Sequence, residues 1–202
     1  AAGAVFSLGL LLVVVAGAEL FTGNNLLAMG WAEGCLPTSA LLRNWIAVCL
    51  ANGIGAAGLA LVVFLSGHPD MNDGAIGRTY LQIAAAKTSL TPVAAFFRGV
   101  LCNVLVCMAI WMSLAGRSVT DKFIAIVLPI SAFVAAGFEH SIANFYFFPL
   151  AMLLQAAAGQ PVDFAWLWHN IVPVIAGNLV GGSVLVALVY HVIYRRSAAV
   201  SL

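Results

Sequence analysis

The sequence predicts an all-α integral membrane protein in which two of the helices are broken near their middle. Of the 202 residues, 63% are hydrophobic and 7% are charged, whereas about a quarter of the residues in soluble domains are charged. A chain of this size cannot bury so much apolar surface within itself, so its apolar segments are expected to lie in a lipid bilayer. At most two basic residues are adjacent, so no nucleic-acid surface is predicted.

The two breaks are predicted by one motif, G-x-E-x-x-x-x-N, which occurs at residues 17–24 and 137–144 inside long apolar runs. A carboxylate at membrane depth is costly, so Glu19 and Glu139 are expected to line a polar cavity or to find a partner. Interrupted helices at matching positions of two halves are typical of a membrane transport site. The alternative is a pair of glycine-kinked helices whose polar groups satisfy only one another.

Five apolar stretches are long enough to cross a bilayer, which takes about 20 helical residues. The first and the fourth contain the breaks, and the five cover about residues 4–31, 41–66, 92–115, 122–156 and 169–194. Between the second and third stretches, residues 75–87 are predicted to form a short amphipathic helix near the membrane interface.

The repeat extends beyond the two motifs. The second span contains Asn44 and Asn52, the fifth contains Asn170 and Asn178, and both pairs fit the spacing N-x7-N-x-x-G. A broken span followed by an Asn/Gly span therefore occurs twice. The single span between them reverses the chain, so the two units are expected to have inverted topology.

We therefore expect a single channel domain over residues 1–202, with one unit at about 1–67 and the other at about 92–196. The second unit has a full span before its broken span, whereas about 16 residues precede the first break. Symmetry between the units predicts a six-span protein whose first helix is missing from this sequence.

The basic residues predict the orientation of the chain, because cytoplasmic loops carry an excess of Lys and Arg. If the spans alternate, five basic residues fall on one side of the membrane: Arg43, Arg117, Lys122, Arg195 and Arg196. Three fall on the other side: Arg78, Lys87 and Arg98. This distribution places the C-terminus in the cytoplasm.

The break at residues 137–144 contains His140, and histidine is the side chain most able to exchange a proton near neutral pH. There it is expected to donate a hydrogen bond to a weak-acid anion, the alternative being a hydrogen-bonded core residue. The half-helix that starts near Gly23 directs N–H groups and a positive dipole end into the same cavity. Thr22 adds a hydroxyl donor to this predicted anion site.

Two further polar residues have two interpretations each. Lys87 either attracts anions at a pore mouth or extends to the membrane interface. Asn103, within the third span, either faces a pore or joins helices. The residues 177–181 form a G-x-x-x-G motif, which indicates close helix packing.

No cofactor or metal site is predicted. The four cysteines form no C-x-x-C pair and are interpreted as small apolar side chains. A haem-binding membrane subunit of a redox complex is the alternative from another class, but it needs two histidines at one depth on neighbouring helices. Here only His140 is central.

These motifs strongly resemble the formate/nitrite transporter family, and most of all its formate channels. The resemblance covers essentially the whole chain and is carried by E-L-F-T-G-N at residues 19–24, G-F-E-H-S-I-A-N at 137–144, and the stretch 98–117. It implies an aquaporin-like fold, a homopentamer with one pore per subunit, and a location in the bacterial cytoplasmic (inner) membrane. It also implies transport of formate without catalysis, or alternatively of nitrite, hydrosulfide or lactate.

The resemblance also implies roles for individual residues. His140 would be the central pore histidine, Thr22 the residue facing it and Asn103 their polar neighbour, while Lys87 and Glu139 would form a charged pair behind the pore. Two apolar constrictions would flank the histidine, the outer one formed by Phe6, Leu10 and Phe133 and the inner one by Leu20, Phe21 and Val106.

Overall fold

The computed structural model describes residues 2–200, and for residues 196–200 it describes the backbone alone. The side chain of Arg196, which belongs to the predicted basic C-terminus, lies outside the described residues. Within that part of the chain all regular structure is helical. Nine α-helices follow one another: α1 (Ala2–Ala16), α2 (Leu27–Ala32), α3 (Thr38–Leu65), α4 (Ala75–Thr88), α5 (Pro92–Ser113), α6 (Val119–Ala135), α7 (Ser141–Ala157), α8 (Val172–Leu179) and α9 (Val189–Val200).

Among the described residues, three helical stretches are long and apolar enough to cross a membrane, namely α3, α5 and the continuous stretch Leu167–Arg195. The last is α8 extended at each end by π-helical turns, Leu167–Ile171 and Val180–Leu188, and continued by α9. The two remaining predicted spans are each built from two shorter helices. The predicted amphipathic helix at 75–87 is confirmed as α4.

Both predicted breaks are present. Helix α1 ends at Ala16, the next residue, Gly17, has φ +76°, and helical structure resumes with the 3₁₀ turn Gly23–Leu26 that leads into α2. Helix α6 ends at Ala135, Gly137 has φ +66°, and α7 begins at Ser141. A left-handed φ is accessible to glycine at little cost, so glycine ends the first half-helix in each break.

Side chains cap the N-termini of α5 and α6. The hydroxyl of Thr91 accepts a hydrogen bond from Ala94 N–H at 3.2 Å and starts α5, with Pro92 at the first helical position. Ser118 and Asp121 form a capping box at the start of α6. These caps fix where α5 and α6 begin.

Helix α5 is central, because it packs on α6 on one side and on α8 on the other. The α5–α8 contact is close enough to require glycine. A Cβ atom added at Gly177 would overlap the carbonyl oxygen of Phe96, and one at Gly181 would overlap that of Val100. The predicted close packing at residues 177–181 is therefore confirmed, and its partner is α5.

Helix α3 packs against α7 but buries few of its own side chains within this chain. Only Leu41 and Ala60 are buried along its length. Its exposed side chains are large and apolar, and they include Leu42, Ile46, Leu50, Ile54, Leu61, Val62 and Leu65. This face is apolar enough to meet lipid or another protein surface in the membrane.

Replacing Gly177 by Ala should lower the stability of the protein by about 1–3 kcal/mol, because the added methyl group overpacks the α5–α8 contact. Thermal unfolding of the purified protein in detergent measures the effect. Gly55→Ala is the matched control, since nothing in this chain lies within 4 Å of the added Cβ. Equal unfolding temperatures for the two variants would contradict the packing argument.

Candidate functional site

The two breaks meet at one hydrogen bond. The Oγ1 atom of Thr22 and the Nε2 atom of His140 are 3.0 Å apart, although the residues are 118 positions apart in sequence. Thr22 is fully buried and His140 is 6% exposed. The structure thus brings the predicted donor of the first break against the predicted histidine of the second.

The hydrogen bond at Nδ1 of His140 determines which ring nitrogen carries the proton. His140 is the N-cap of α7, and its Nδ1 atom accepts a hydrogen bond from Ala143 N–H at 3.2 Å. A ring nitrogen that accepts carries no proton, so the neutral imidazole carries its proton on Nε2. That N–H therefore donates to Thr22, and a bound anion would compete for it. The Thr22 hydroxyl keeps its own proton for donation.

Asn103 on α5 forms a hydrogen bond with the backbone of Thr22. The two N–H groups on its Nδ2 are shared among three acceptors, the carbonyl oxygens of Thr22 at 3.2 Å and Asn178 at 2.7 Å and Oδ1 of Asn25 at 2.8 Å. Cys107 Sγ donates to the same Thr22 carbonyl at 3.3 Å. The amide N–H groups of Asn103 therefore join helices, which is the second of its two interpretations. Its Oδ1 atom is buried without a hydrogen-bond partner among the described residues.

Glu139 lies in the second break, 3% exposed, and both of its carboxylate oxygens have partners. Oε1 pairs with Lys87 Nζ at 3.0 Å, and Oε2 accepts from Asn144 at 2.7 Å and from Asn170 at 3.3 Å. The backbone carbonyl of Glu139 accepts from Asn178 at 3.1 Å. Lys87 thus points into the protein towards Glu139, so its ammonium group does not extend to the interface.

The first break has the same network. Asn24 donates to the Glu19 carboxylate and to Oδ1 of Asn44 at 3.0 Å, while Asn52 donates to the Glu19 carbonyl at 3.0 Å and accepts from Phe21 N–H at 2.9 Å. Each contact has a counterpart in the second break, 120 positions later for the motif and 126 positions later for the Asn pair. This agreement supports the predicted repeat. Glu19 differs in being exposed and without a Lys or Arg partner among the described residues.

A cavity of about 430 Å³ lies beside His140. Its apolar wall includes Phe6 and Phe133, whose ring centroids are 5.5 Å apart, and the Phe133 ring stacks on the imidazole at 6.0 Å. Its polar wall includes Lys87 and Arg98. Two of the three residues predicted to form the outer constriction therefore meet at the histidine.

The other predicted constriction residues occupy the same apolar region. Leu10, Val106 and Phe133 belong to one buried cluster, and Leu20 packs against it. Phe21 is 1% exposed in the first break, where its N–H is held by an Asn side chain. Residues of both predicted constrictions thus lie in one apolar cluster, and their role as constrictions stays a prediction.

Residues 1–192 match the model of a protein family described as Formate/nitrite transporter. The chain belongs to this family. It is 40% identical over 209 residues to the formate channel FocA of Escherichia coli (strain K12), covering 96% of this chain and 73% of that protein. It is 36% identical over 190 residues to the nitrite transporter NirC of the same organism, covering 93% and 69%.

Solved structures agree with the family assignment. One, described as a pentameric formate channel with formate bound, is 34% identical with a TM-score of 0.81, covering 95% of this chain and 81% of that one. Another, described as an FNT family ion channel, is 34% identical with a TM-score of 0.83, covering 93% and 74%. As a formate/nitrite transporter family member, the chain is an integral membrane transport protein and not an enzyme.

Three residues of this transporter site were not singled out from sequence. Asn25 and Gly182 were not recognised, and Cys107 was interpreted only as an apolar side chain. A Cβ added at Gly182 would overlap the Asn103 amide and lie 2.7 Å from Asn25 Cβ and 2.8 Å from Cys107 Sγ. The signal for Asn25 was its position beside Asn24 in the break. The G-x-x-x-G motif at residues 177–181 indicated close helix packing next to Gly182, but not the partner helix on which the other two roles depend.

Replacing Lys87 by Met should destabilise the protein, because it leaves the Glu139 carboxylate buried without its counter-charge. Removing one partner of a buried pair costs about 3–5 kcal/mol. The double variant Lys87→Met/Glu139→Gln removes both charges and should recover most of the loss. Thermal unfolding in detergent measures both, with Arg78→Met as the control for losing an exposed cation. A double variant no more stable than the single one would refute the pairing argument.

Proposed function

We propose that this chain is a channel for formate, or a similar small monovalent anion, across the cytoplasmic membrane, with His140 as the central donor. The observation that carries the proposal is the buried His140 Nε2–H, directed at Thr22 between two helix breaks and beside the Phe6–Phe133 pair. Relatives named as formate channels, and a solved structure with formate bound, support the substrate.

The physical problem is that an anion must lose water between two apolar constrictions. Burying a bare carboxylate is costly unless it is hydrogen-bonded or neutralised. The Nε2–H of His140 and the hydroxyl of Thr22 are two donors at the point of greatest dehydration. In its neutral form His140 stabilises the anion by hydrogen bonding alone.

His140 can also lend a proton to the anion. A proton arriving on Nδ1 gives an imidazolium, which then transfers its Nε2 proton to the anion and leaves a neutral ring protonated on Nδ1. The neutral acid crosses the apolar constriction, and the ring returns to its first form when Nε2 takes up a new proton and the resulting imidazolium releases the proton on Nδ1. During this cycle Nδ1 loses its hydrogen bond from the Ala143 N–H. Proton exchange at His140 is therefore coupled to the N-cap of α7.

Replacing His140 by Asn should abolish the pH dependence of formate flux while leaving the fold intact. Asn is a good N-cap residue, so it can still accept from Ala143 N–H, but it exchanges no proton near neutral pH. Flux into proteoliposomes, measured between about pH 5 and 8, checks this. Size-exclusion chromatography checks assembly. A wild-type pH profile in this variant would exclude the proton-lending role.

Replacing Thr22 by Val should reduce formate flux roughly tenfold or more, because a hydrogen bond to a charged group is worth about 1.5–3 kcal/mol. Thr22→Ser keeps the hydroxyl and should retain most of the flux. Both variants are compared in the same proteoliposome assay, with expression and assembly measured alongside. If the Ser variant is as impaired as the Val variant, the hydroxyl is not the group that holds the anion.

Nitrite is the second candidate substrate, since the relative NirC is named as a nitrite transporter. Hydrosulfide and lactate remain alternatives from the family resemblance. Liposome flux compared across the four anions ranks them.

We also infer a homopentamer with the C-terminus in the cytoplasm. The exposed apolar face of α3 offers a surface for a neighbouring subunit, and a similar solved structure is described as pentameric. The excess of basic residues at Arg43, Arg117, Lys122 and the C-terminus supports the orientation.

A further inference from the structure

Arg98 is a second cation of the His140 cavity, and the proposed function does not use it. It lies in α5 and lines the cavity together with Lys87 and His140. Its Nη1 atom donates to the carbonyl oxygen of Gly137 at 3.4 Å, and its own carbonyl accepts from Glu139 N–H at 3.3 Å. One residue thus touches the second break at two points.

Of the two cationic side chains named in this cavity, Lys87 and Arg98, only Arg98 has no carboxylate to neutralise its charge among the described residues. Lys87 is neutralised by Glu139 at 3.0 Å, whereas Arg98 has no carboxylate partner among the described residues. The side chain is exposed. A guanidinium has five N–H donors in a fixed fork, and the contact to Gly137 uses one of them. The donors on Nη2 and Nε have no protein acceptor in the described part of the chain.

The cavity therefore carries a net positive charge, and this charge is presented by a group with a particular shape. A guanidinium fork matches an anion whose two oxygens lie in one plane and binds it through two parallel hydrogen bonds. An ammonium provides the same charge without that geometry. Formate and nitrite have two such oxygens, whereas hydrosulfide presents one sulfur atom.

We propose that Arg98 captures the anion in the cavity before it reaches His140, and that its fork favours planar two-oxygen monoanions over hydrosulfide. This inference rests on the proposed channel function and names the substrate class that the cavity selects. Capture by an exposed cation relies on long-range attraction, so it weakens as salt is added. The later step at His140, in a buried site, depends less on salt.

Three variants test the inference in proteoliposomes, with flux of formate, nitrite and hydrosulfide measured at low and high salt. Arg98→Gln should raise the formate and nitrite concentrations for half-maximal flux roughly tenfold at low salt and reduce their salt dependence. Arg98→Lys should keep the salt dependence but lose the preference for formate and nitrite over hydrosulfide. Arg78→Gln is the matched control, because Arg78 is an exposed arginine of α4 that does not line the cavity. It should behave as the wild type.

The outcomes separate the two proposals. If Arg98→Gln and Arg78→Gln have the same half-saturation and the same salt dependence, Arg98 does not capture the anion. An unchanged preference in Arg98→Lys overturns the role of the fork, and this variant decides the matter if Arg98→Gln fails to assemble. A wild-type protein that carries none of the three anions would overturn the proposed function, and this inference with it.

Discussion

The structure depends on satisfying the backbone where two helices are broken at membrane depth. Lipid offers no hydrogen bonds there, so each freed N–H and C=O needs a partner in the protein or in a cavity that the protein encloses. In the second break Asn178 provides both, since its Oδ1 accepts from Ser141 N–H at 3.0 Å and its Nδ2 donates to the Glu139 carbonyl. Asn52 does the same for Phe21 and Glu19 in the first break. These two amides thus satisfy backbone groups on either side of the Thr22–His140 contact.

The two halves share this network but differ in charge and burial, and the difference gives each half its role. In the second half, α4 delivers Lys87 to a buried Glu139, and the next residue is the histidine. In the first half, the carboxylate of Glu19 is exposed, and the break contributes a hydroxyl and a tightly held backbone. The second half therefore carries the histidine proposed to exchange a proton, while the first places the Thr22 hydroxyl opposite it.

The sequence predicted the two breaks and the polar residues Thr22, Glu139 and His140 within them because these follow from local rules, whereas the roles of the constriction residues came only from the family resemblance. Carboxylates and glycines in apolar runs are rare enough to be informative, and the Asn pairs appear as a repeat. Other features depend on how closely helices approach. The overlap at Gly182, the thiol donor Cys107 and the π-helical turns around α8 follow from the packing of α5 on α8. The direction of the His140 ring also could not be predicted, because it depends on where α7 begins.

That ring direction limits how the histidine can work. Nδ1 accepts from the first turn of α7 and Nε2 faces Thr22 in the proposed pathway, so the resting imidazole has one proton and one direction in which to donate it. A second proton must enter at Nδ1 and displace the Ala143 N–H, which costs the cap a hydrogen bond at a helix start. Hydrogen-bonded passage of an anion needs no such change, whereas passage as the neutral acid needs it once per cycle. The relative ease of these two routes therefore depends on the first turn of α7 as well as on the imidazole.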